Sequence, residues 1–304
     1  MEKIKILALV GATASGKSAA ALELARRLNG EIVSCDSMQV YRGMDIATAK
    51  PTPDERREIP HHLIDVAEPE CPYSVASYLA DAELAVRAIA VRGKLPIFCG
   101  GTGLYLDRFL FGGLPAETLA DEALRASLLE LAAQKGNRFL HDQLAAIDPA
   151  SAVAIHPNNV RRVARAIEIY RLTGVPKSEW DRQTQAAECR FDARVFLLDR
   201  PREELYRRID ARVDAMLAAG LLEETETLDR RGVFALNATA AQAIGYKEIL
   251  PCLHGEISLP AAIETLKKAT RHYAKRQLTW FFAKSYVRPV SADEVIEKAL
   301  AQFC

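Results

Sequence analysis

Short apolar runs alternate with longer stretches of helical spacing along much of the chain. The apolar runs at 4–10 (IKILALV), 31–35 (EIVSC), 95–99 (LPIFC) and 194–198 (RVFLL) predict buried strands. Helical spacing follows at 17–29, 74–92 and 103–111. Strands that alternate with helices are typical of a parallel sheet with crossover helices, so this pattern predicts an α/β core. Residues 61–66 (HHLIDV) are a fifth candidate strand.

Between about residues 118 and 188 the pattern contains helical spacing alone. The segments 121–136, 138–148 and 158–174 carry it, with Asp, Asn or Gly near their ends as helix caps prefer. Further helices are expected at roughly 202–219, 221–231, 239–250 and 258–284. We therefore predict that 1–116 and 190–304 form an α/β sheet domain flanked by helices, with an all-helical domain inserted at 117–189.

Composition narrows the class of protein. The 304 residues are 49% hydrophobic and 26% charged, as in a globular protein, and the net charge of zero argues against nonspecific coating of nucleic acid. No apolar run approaches the roughly 18 residues that span a bilayer, and the short N-terminal run has no cleavage site after it, so we expect a cytoplasmic protein. None of the six cysteines forms a C-x-x-C pair, so no zinc site is predicted.

The first predicted strand leads into a phosphate-binding motif. Residues 11–18 (GATASGKS) fit G-x-x-x-x-G-K-[ST] between a strand and a helix, which makes the core a P-loop-type sheet. The backbone N–H groups and the helix N-terminus attract phosphate, Lys17 adds a full charge, and Ser18 is able to ligate magnesium. The alternative is a glycine-rich turn without a ligand. The diphosphate-binding residues predicted here are Gly11, Ala12, Thr13, Ala14, Ser15, Gly16, Lys17 and Ser18.

An aspartate follows the second predicted strand. Asp36 stands just beyond its carboxyl end, where ligands of open α/β sheets bind, so it should face the same crevice as the phosphate loop. A carboxylate there is able to hold magnesium or to accept a proton from a nucleophile. The alternative is that Asp36 caps the following turn. Ser37 and Gln39 offer hydrogen-bonding groups that could read the edge of a base.

Several motifs together resemble the tRNA dimethylallyltransferase family, also called tRNA isopentenyltransferases. They are GATASGKS, DSMQVYRGMDIATAKP, PHHLID, FCGGTGLYL, HPNNVRRVARAIEIY, RRIDARVDAMLAAGLLEE, AIGYKE and AKRQLTWF, in this order between about residues 4 and 286. The phosphate loop is shared by many families, whereas its combination with the second and fourth motifs is specific. Ala12 departs from the family, which usually has proline there.

The resemblance implies a reaction and its catalytic residues. The phosphate loop would hold dimethylallyl diphosphate rather than ATP, with Mg2+ as cofactor. The acceptor would be the exocyclic amine of the adenosine 3′-adjacent to the anticodon, with Asp36 as general base. Lys17, Thr13 and Arg212 would neutralise the diphosphate, and Thr102 would line the reaction channel. From the residues alone Arg208 remains a rival of Arg212, because the two lie one helical turn apart.

The resemblance also implies the partner, which is the tRNA anticodon stem-loop. No membrane or protein partner is implied, a monomer is expected, and the inserted domain would bind the RNA. Basic residues beside aromatic ones suit a single-stranded loop, although they also suit a solvated helix face. The implied tRNA contacts are Asp36, Ser37, Met38, Gln39, Thr102, Arg125, Arg161, Arg162, Val163, Ala164, Arg165, Gln242, Ala243, Ile244, Gly245, Tyr246, Lys247, Lys275, Arg276, Gln277 and Trp280.

Two other classes of protein compete with this interpretation. A P-loop kinase acting on a nucleotide or small metabolite would explain residues 11–18 equally well, and Asp65 or Asp199 could end a strand as its magnesium ligand. The helical insert and the basic helices are not needed for a small substrate. An RNA-binding switch controlled by GTP would need a guanine-reading N-K-x-D stretch, and the sequence has none.

Overall fold

Six parallel strands form one sheet in the computed structural model, which describes residues 3–112 and 121–303. The strands are β1 (Lys5–Gly11), β2 (Gly30–Cys35), β3 (His61–His62), β4 (Leu95–Gly100), β5 (Asp192–Asp199) and β6 (Val287–Ser291). Their order is β3-β2-β4-β1-β5-β6, with Leu7 of β1 opposite Ile97 of β4 and Arg194 of β5. The predicted α/β fold with a parallel sheet is confirmed. Because β1 lies between β4 and β5, the loop after β1 opens at the point where the strand order reverses.

The chain separates into two compact units, Met1–Leu106 with Phe191–Cys304 and Asp107–Arg190. The boundary predicted at 116/117 lies outside the described residues. The helices that begin in the first unit are α1 (Lys17–Arg27), α2 (Pro53–Glu58), α3 (Val75–Val91), α4 (Gly103–Phe111), α10 (Arg202–Ala218), α11 (Leu221–Arg230), α12 (Val233–Leu236), α13 (Tyr246–Leu253), α14 (Leu259–Phe282) and α15 (Val295–Phe303). Those of the second unit are α5 (Glu122–Lys135), α6 (Asn137–Ile147), α7 (Pro149–Ala154), α8 (Val160–Thr173) and α9 (Lys177–Ala186).

The first unit has two apolar cores that position the site. Leu7 and Leu9 of β1 pack with Leu24 of α1 and Ile97 of β4, which fixes α1 against the sheet. The second core joins the segment after β2 to the C-terminal helices. Tyr41 and Met44 of this segment are buried with Leu221, Tyr246 and Leu266. Burial of an aliphatic or aromatic side chain contributes about 1.5–3 kcal/mol, so both attachments are strong.

The second unit has an apolar core of its own. Leu128 of α5, Leu140 and Leu144 of α6, and Val163 and Ile167 of α8 form it. The two residues on α8 are four positions apart, which places them on one face of that helix. In the described residues of both units no helix is long and apolar enough to cross a membrane.

The structure differs from the predicted elements in four places. The strand expected at 61–66 ends at His62, because Leu63 and Asp65 adopt positive φ angles of 63° and 58°. The helix expected at 239–250 is a 3-10 turn, Ala240–Gln242, followed by α13, since Ala243 between them is extended. Strand β6 and helix α15 follow the last predicted helix. Helices α2, α7, α9 and α12 are short additional helices that the pattern did not reveal.

Candidate active site

The phosphate loop joins β1 to α1, and residues 12–16 between them include two with positive φ, of which only Gly16 is a glycine. Gly16 is the N-cap of α1 and has φ 98°, a left-handed value that glycine adopts at little cost. Ala14 also has a positive φ, 63°. The Lys17 side chain folds back over the loop and donates from Nζ to the carbonyl oxygen of Ala12 at 3.0 Å. The loop therefore surrounds a small polar space with its ammonium group at the edge.

Two groups in the loop indicate that this space suits an anion. Burial lowers the pKa of Lys17, the nearby Arg212 lowers it further, and the Asp36 carboxylate opposes the shift. The Ser15 hydroxyl is buried and has no hydrogen-bond partner within the described part of the chain. An unpaired buried hydroxyl costs about 1–3 kcal/mol, and a phosphate oxygen would satisfy it. Burial raises the pKa of Cys99 to about 11, so this neighbour is a neutral thiol.

Two arginines of the first unit hold the outer side of the phosphate loop. Arg200 donates from Nε to the Ser15 carbonyl at 2.6 Å, and Arg208 donates from Nε to the Ala14 carbonyl at 2.8 Å. These bonds direct the loop carbonyls away from the space inside. Arg212, on the same helix as Arg208, lines the inner cavity, and burial lowers its pKa while Asp36 opposes this. Arg208 and Arg212 both line a second cavity with Gly16, Lys17 and Ser18, but only Arg212 also lines the one that Asp36 lines.

Asp36 begins a tight turn after β2. Its Oδ1 accepts hydrogen bonds from the backbone N–H groups of Met38 at 2.9 Å and Gln39 at 3.4 Å. The capping role considered from the sequence is therefore present. It occupies one carboxylate oxygen, and Oδ2 has no hydrogen bond to another described residue. Asp36 lines the same cavity as Lys17 and Arg212, as the position after β2 predicts.

The loop after β4 is fastened to this turn. Thr102 donates its backbone N–H to the Cys35 carbonyl at 3.0 Å, and its Oγ1 accepts from the Ser37 N–H at 3.1 Å. The Thr102 hydroxyl thus holds the backbone beside Asp36. Gln39 is occupied as well, because its Nε2 donates to the carbonyls of Thr48 at 3.2 Å and Ala49 at 3.3 Å. Its side-chain amide is therefore not free to read a base edge.

A cavity of about 270 Å³ connects these groups. Its polar wall contains Thr13, Lys17, Ser18, Asp36, Ser37, Gln39, Arg212 and Arg276. Its apolar wall includes Ala21, Leu22, Ile32, Met38, Ile64, Ala243, Ile244 and Met216. Gln242 and Gly245 also line it, so the predicted segment 242–245 lies beside the predicted diphosphate site. A cavity lined by both charged and apolar side chains is suited to a ligand that joins an anionic group to a hydrocarbon group.

A carboxylate that the sequence analysis missed holds another wall of this cavity. Glu224 of α11 accepts the backbone N–H groups of Asp45 at 2.9 Å, Ile46 at 2.8 Å and Ala47 at 3.2 Å. It also accepts the hydroxyl of Tyr246 at 2.7 Å. Nothing in the acidic stretch LLEETE distinguishes Glu224 from its neighbours. Tyr246, predicted as a tRNA contact, is fully buried and has this structural role instead.

The C-terminal basic cluster divides into two groups. Lys267 pairs with Asp214 at 2.7 Å and Arg271 with Asp210 at 2.5 Å, so these two residues tie α14 to α10. Lys268, Lys275 and Arg276 are exposed, and Trp280 retains 37% exposure. Lys247 is exposed and donates to the Gln242 side chain at 2.9 Å. Gln277, predicted as a tRNA contact, is 5% exposed and lines the cavity.

The predicted RNA-binding residues of the second unit also divide. Arg161 and Arg162 are exposed on α8. Arg125 and Arg165 pair with the fully buried Glu168 at 3.0 Å and 2.9 Å, which gives both a structural role. The side chains of Val163 and Ala164 are buried in the core of this unit. They are therefore not exposed to an RNA.

The parallel sheet with flanking helices defines an α/β protein, and its G-x-x-x-x-G-K-[ST] loop lies at the switch point beside a cavity lined by charged and apolar side chains. Family models for "IPP transferase" and "Isopentenyl transferase" match residues 39–284 and 4–65. The chain belongs to the tRNA dimethylallyltransferase family.

Individual relatives agree over nearly the whole length. The tRNA dimethylallyltransferase of Geobacillus thermodenitrificans is 49% identical over 91% of this chain and 87% of its own. The tRNA dimethylallyltransferase 1 of Trichlorobacter lovleyi is 46% identical over 99% of both chains. The crystal structure of the tRNA isopentenylpyrophosphate transferase of Bacillus halodurans has a TM-score of 0.72 and 43% identity, covering 99% of this chain and 97% of that one. These similarities favour a transferase over the kinase alternative.

The kinase alternative requires a free aspartate as magnesium ligand at the end of a strand. Asp65, one of its two candidate magnesium ligands, accepts Lys50 at 2.6 Å and Arg56 at 2.5 Å. The Lys50 side chain is almost fully buried and also pairs with Asp45 at 2.6 Å. Asp65 is therefore part of an ion-pair network that holds the 45–50 loop. Asp199, the other candidate, ends β5.

Proposed function

We propose that this protein transfers the dimethylallyl group of dimethylallyl diphosphate to the exocyclic amine of the adenosine 3′-adjacent to the anticodon in tRNA, releasing diphosphate. The observation that carries the proposal is the cavity in which Lys17, Arg212 and Asp36 meet an apolar wall. This arrangement matches a donor with an anionic leaving group and a hydrocarbon head. It also provides a base for the acceptor.

The leaving group would lie in the phosphate loop. Its N–H groups and the start of α1 point at the diphosphate, and Lys17 and Arg212 neutralise the charge that develops as the C–O bond breaks. Removing one preorganised donor of this kind typically slows a reaction by roughly 100- to 1000-fold. The unpaired Ser15 hydroxyl gives the loop one more hydrogen bond to offer.

Magnesium is the cofactor that we propose for the same cavity. Ser18 would be its protein ligand, because the hydroxyl lines the cavity beside Lys17 and magnesium prefers oxygen ligands. The ion would add positive charge at the diphosphate when bound. Lys17 and Arg212 perform the same neutralisation from the protein side, and both are buried, which strengthens their interaction with an anion.

The acceptor amine would lie against Asp36. The amine nitrogen forms a bond to the donor carbon that carries the diphosphate. The diphosphate leaves with the electron pair of the C–O bond, and Asp36 takes the amine proton. Because Oδ1 is held by the turn at residues 38 and 39, Oδ2 is the oxygen available for this step. Such a positioned base contributes about 100- to 10,000-fold.

The RNA would reach this cavity with its base turned out of the stack. Anticodon loops are single-stranded, so extruding a base there costs only a few kcal/mol. Exposed Lys275, Arg276 and Trp280 on α14 offer phosphate and stacking contacts, and exposed Arg161 and Arg162 offer further charge in the second unit. We propose the anticodon stem-loop as the partner of these residues. A cytoplasmic monomer is the form that we propose, since the substrate occurs there and no protein partner is needed.

One experiment tests the whole proposal. The protein is incubated with bulk tRNA, magnesium and dimethylallyl diphosphate labelled in the five-carbon group, and the RNA is digested to nucleosides. We expect label in a modified adenosine and release of unlabelled diphosphate without any nucleotide. Label in no nucleoside, or consumption of ATP in place of the prenyl donor, would overturn the proposal.

A further inference from the structure

The buried face of α14 carries one polar side chain that reaches two separate loops. Gln277 is 5% exposed and lies on the stripe formed with Thr270, Ala274 and Phe281. Its Oε1 accepts the backbone N–H of Thr13 at 2.8 Å. Its Nε2 donates to the carbonyl oxygen of Gly101 at 3.1 Å. One side-chain amide therefore connects the phosphate loop to the loop after β4.

The surrounding residues are shaped around this side chain. A Cβ added at Gly101 would overlap Nε2 of Gln277, and a Cβ added at Gly103 would overlap the Trp280 ring. The loop at 100–103 can therefore approach α14 this closely only because both positions are glycine. The contacts of Gly101 with Gln277 and of Gly103 with Trp280 therefore set the separation between this loop and α14.

One partner of Gln277 lines the cavity that the proposed function uses, and the other directly follows Gly100, which also lines it. Thr13 lines it beside Lys17 and Ser18. The loop that contains Gly101 continues to Thr102, which accepts the Ser37 N–H next to Asp36. Gln277 therefore lies between the group that would hold the donor and the group that would hold the base.

We propose that Gln277 is a positioning residue, which fixes the phosphate loop relative to the Asp36 turn through its bonds to Thr13 and Gly101. The proposal deepens the proposed function and rests on it. Gln277 also lines the cavity, but both polar atoms of its side chain are used in these two bonds. It sits on the same helix as the exposed Lys275, Arg276 and Trp280, one turn or less away, so movement of that helix would be passed directly to the phosphate loop.

The substitution Gln277→Glu tests this role with almost no change in shape. The introduced carboxylate still accepts the Thr13 N–H, but it places an unprotonated oxygen against the Gly101 carbonyl oxygen. We expect the KM for dimethylallyl diphosphate to rise about tenfold, because small displacements of a binding group are costly. We expect the tRNA dissociation constant without donor to stay within about twofold of wild type.

A pH series separates positioning from a general loss of structure. Protonation of the introduced carboxyl restores a donor toward Gly101, and burial raises the pKa of such a group. The ratio of variant to wild-type donor KM should therefore fall as the pH is lowered from about 8 to about 6. Gln302→Glu is the matched control, because Gln302 is exposed and already accepts Arg288 at 3.3 Å. This control should show wild-type values throughout.

Direct binding of inorganic pyrophosphate keeps this test separate from the proposed function. Weaker pyrophosphate binding by Gln277→Glu at pH 8, recovering toward pH 6, supports the positioning role even if wild type transfers no prenyl group to tRNA. If the variant aggregates, Gln277→Met, which keeps the packing volume and removes both bonds, should show the same rise at every pH. Unchanged donor KM and pyrophosphate affinity, or a tRNA affinity weakened tenfold alone, would overturn the inference.

Discussion

Arg208 donates from its Nε to the carbonyl oxygen of Ala14 at 2.8 Å, so this arginine holds the phosphate loop from outside. Arg212 follows one helical turn later and lines the cavity inside the loop. Two residues of one type on one helix face thus have different structural relationships to the same loop. The Arg208 guanidinium is bonded to a loop carbonyl, whereas the Arg212 guanidinium forms no hydrogen bond to another described residue, so we expect the two to affect the reaction differently.

Replacement of these arginines should separate turnover from donor binding. Arg212→Ala should lower kcat by about 100- to 1000-fold, because it removes a buried cation beside the leaving group. Arg208→Ala should change kcat by less than about tenfold and act mainly on donor KM, because the loop loses an external hydrogen bond. Steady-state kinetics with varied dimethylallyl diphosphate measures both. Equal losses in kcat for the two variants would contradict the assignment.

Removal of the proposed base should leave RNA binding in place. Asp36→Asn keeps an oxygen that accepts the Met38 N–H, so the turn after β2 is preserved, but it cannot take a proton from the amine. We expect single-turnover prenyl transfer to slow by about 100- to 10,000-fold. Asp36→Ala should lose the same activity. The tRNA dissociation constant, measured by filter binding, should stay within about tenfold for both. Turnover near the wild-type rate in either variant would remove Asp36 from its role.

Two arginines of the second unit provide a matched pair for the RNA interaction. Arg162 is exposed and forms no ion pair within 3–112 or 121–303, so Arg162→Ala should weaken tRNA binding and reduce its salt slope by about 0.7. Arg125→Ala should instead destabilise the fold by about 2 kcal/mol, because Glu168 is buried and would lose one of its two arginine partners. Binding at several salt concentrations and urea unfolding measure the two effects. The pattern fails if Arg162→Ala leaves the salt slope unchanged.

Stability should depend on pH through a buried carboxylate at the far end of the sheet. Burial acts to raise the pKa of Glu31, but hydrogen bonds from Arg92, His62 and Lys94 outweigh it and hold the pKa at about 2. A carboxyl whose pKa is lowered on folding adds stability above its unfolded pKa of about 4.3, and this stability is lost as the pH falls toward 2.

The comparison of wild type with Glu31→Gln isolates this contribution. At neutral pH the variant should be less stable by about 2–3 kcal/mol, which is the shift expressed as free energy. The difference should shrink as the pH falls from about 4.5 to about 2, because protonated Glu31 no longer attracts its partners. Unfolding in urea at a series of pH values measures it. A difference that stays constant over this range would show that Glu31 acts through packing alone.

The sequence predicted the elements that short local patterns determine, namely the buried strands and the phosphate loop. The apolar runs of β1, β2, β4 and β5 identify strands that are buried on both faces, and the glycines of residues 11–18 identify the phosphate loop. By contrast, β6 was missed because VRPVS is short, contains proline and arginine, and buries only Val287 and Val290. A strand of this composition at a sheet edge has little apolar signal.

The site residues also divide into those that local sequence predicts and those whose partners are distant in the chain. Lys17 and Asp36 follow directly from their positions after strands. Gln277 and Tyr246 were predicted to touch RNA, yet their polar atoms are used by Thr13 and Glu224 inside the protein. These partners are far apart in the chain, 264 residues for Gln277 and Thr13, and no local pattern encodes such a pairing. Arg161, Arg162, Lys275 and Arg276 are exposed, as their motifs indicate.

The hydrogen bonds of Glu224 to the amides of residues 45–47 constrain how the protein emerges from the ribosome. The phosphate loop and the Asp36 turn are synthesised early, but the carboxylate that fixes the next loop comes about 180 residues later in the chain, as separations of 177 to 179 residues show. Until Glu224 has been synthesised, the amides of residues 45–47 lack the carboxylate that fixes their loop. A chain that ends before residue 224 would therefore lack one support of the cavity lining at Ala47.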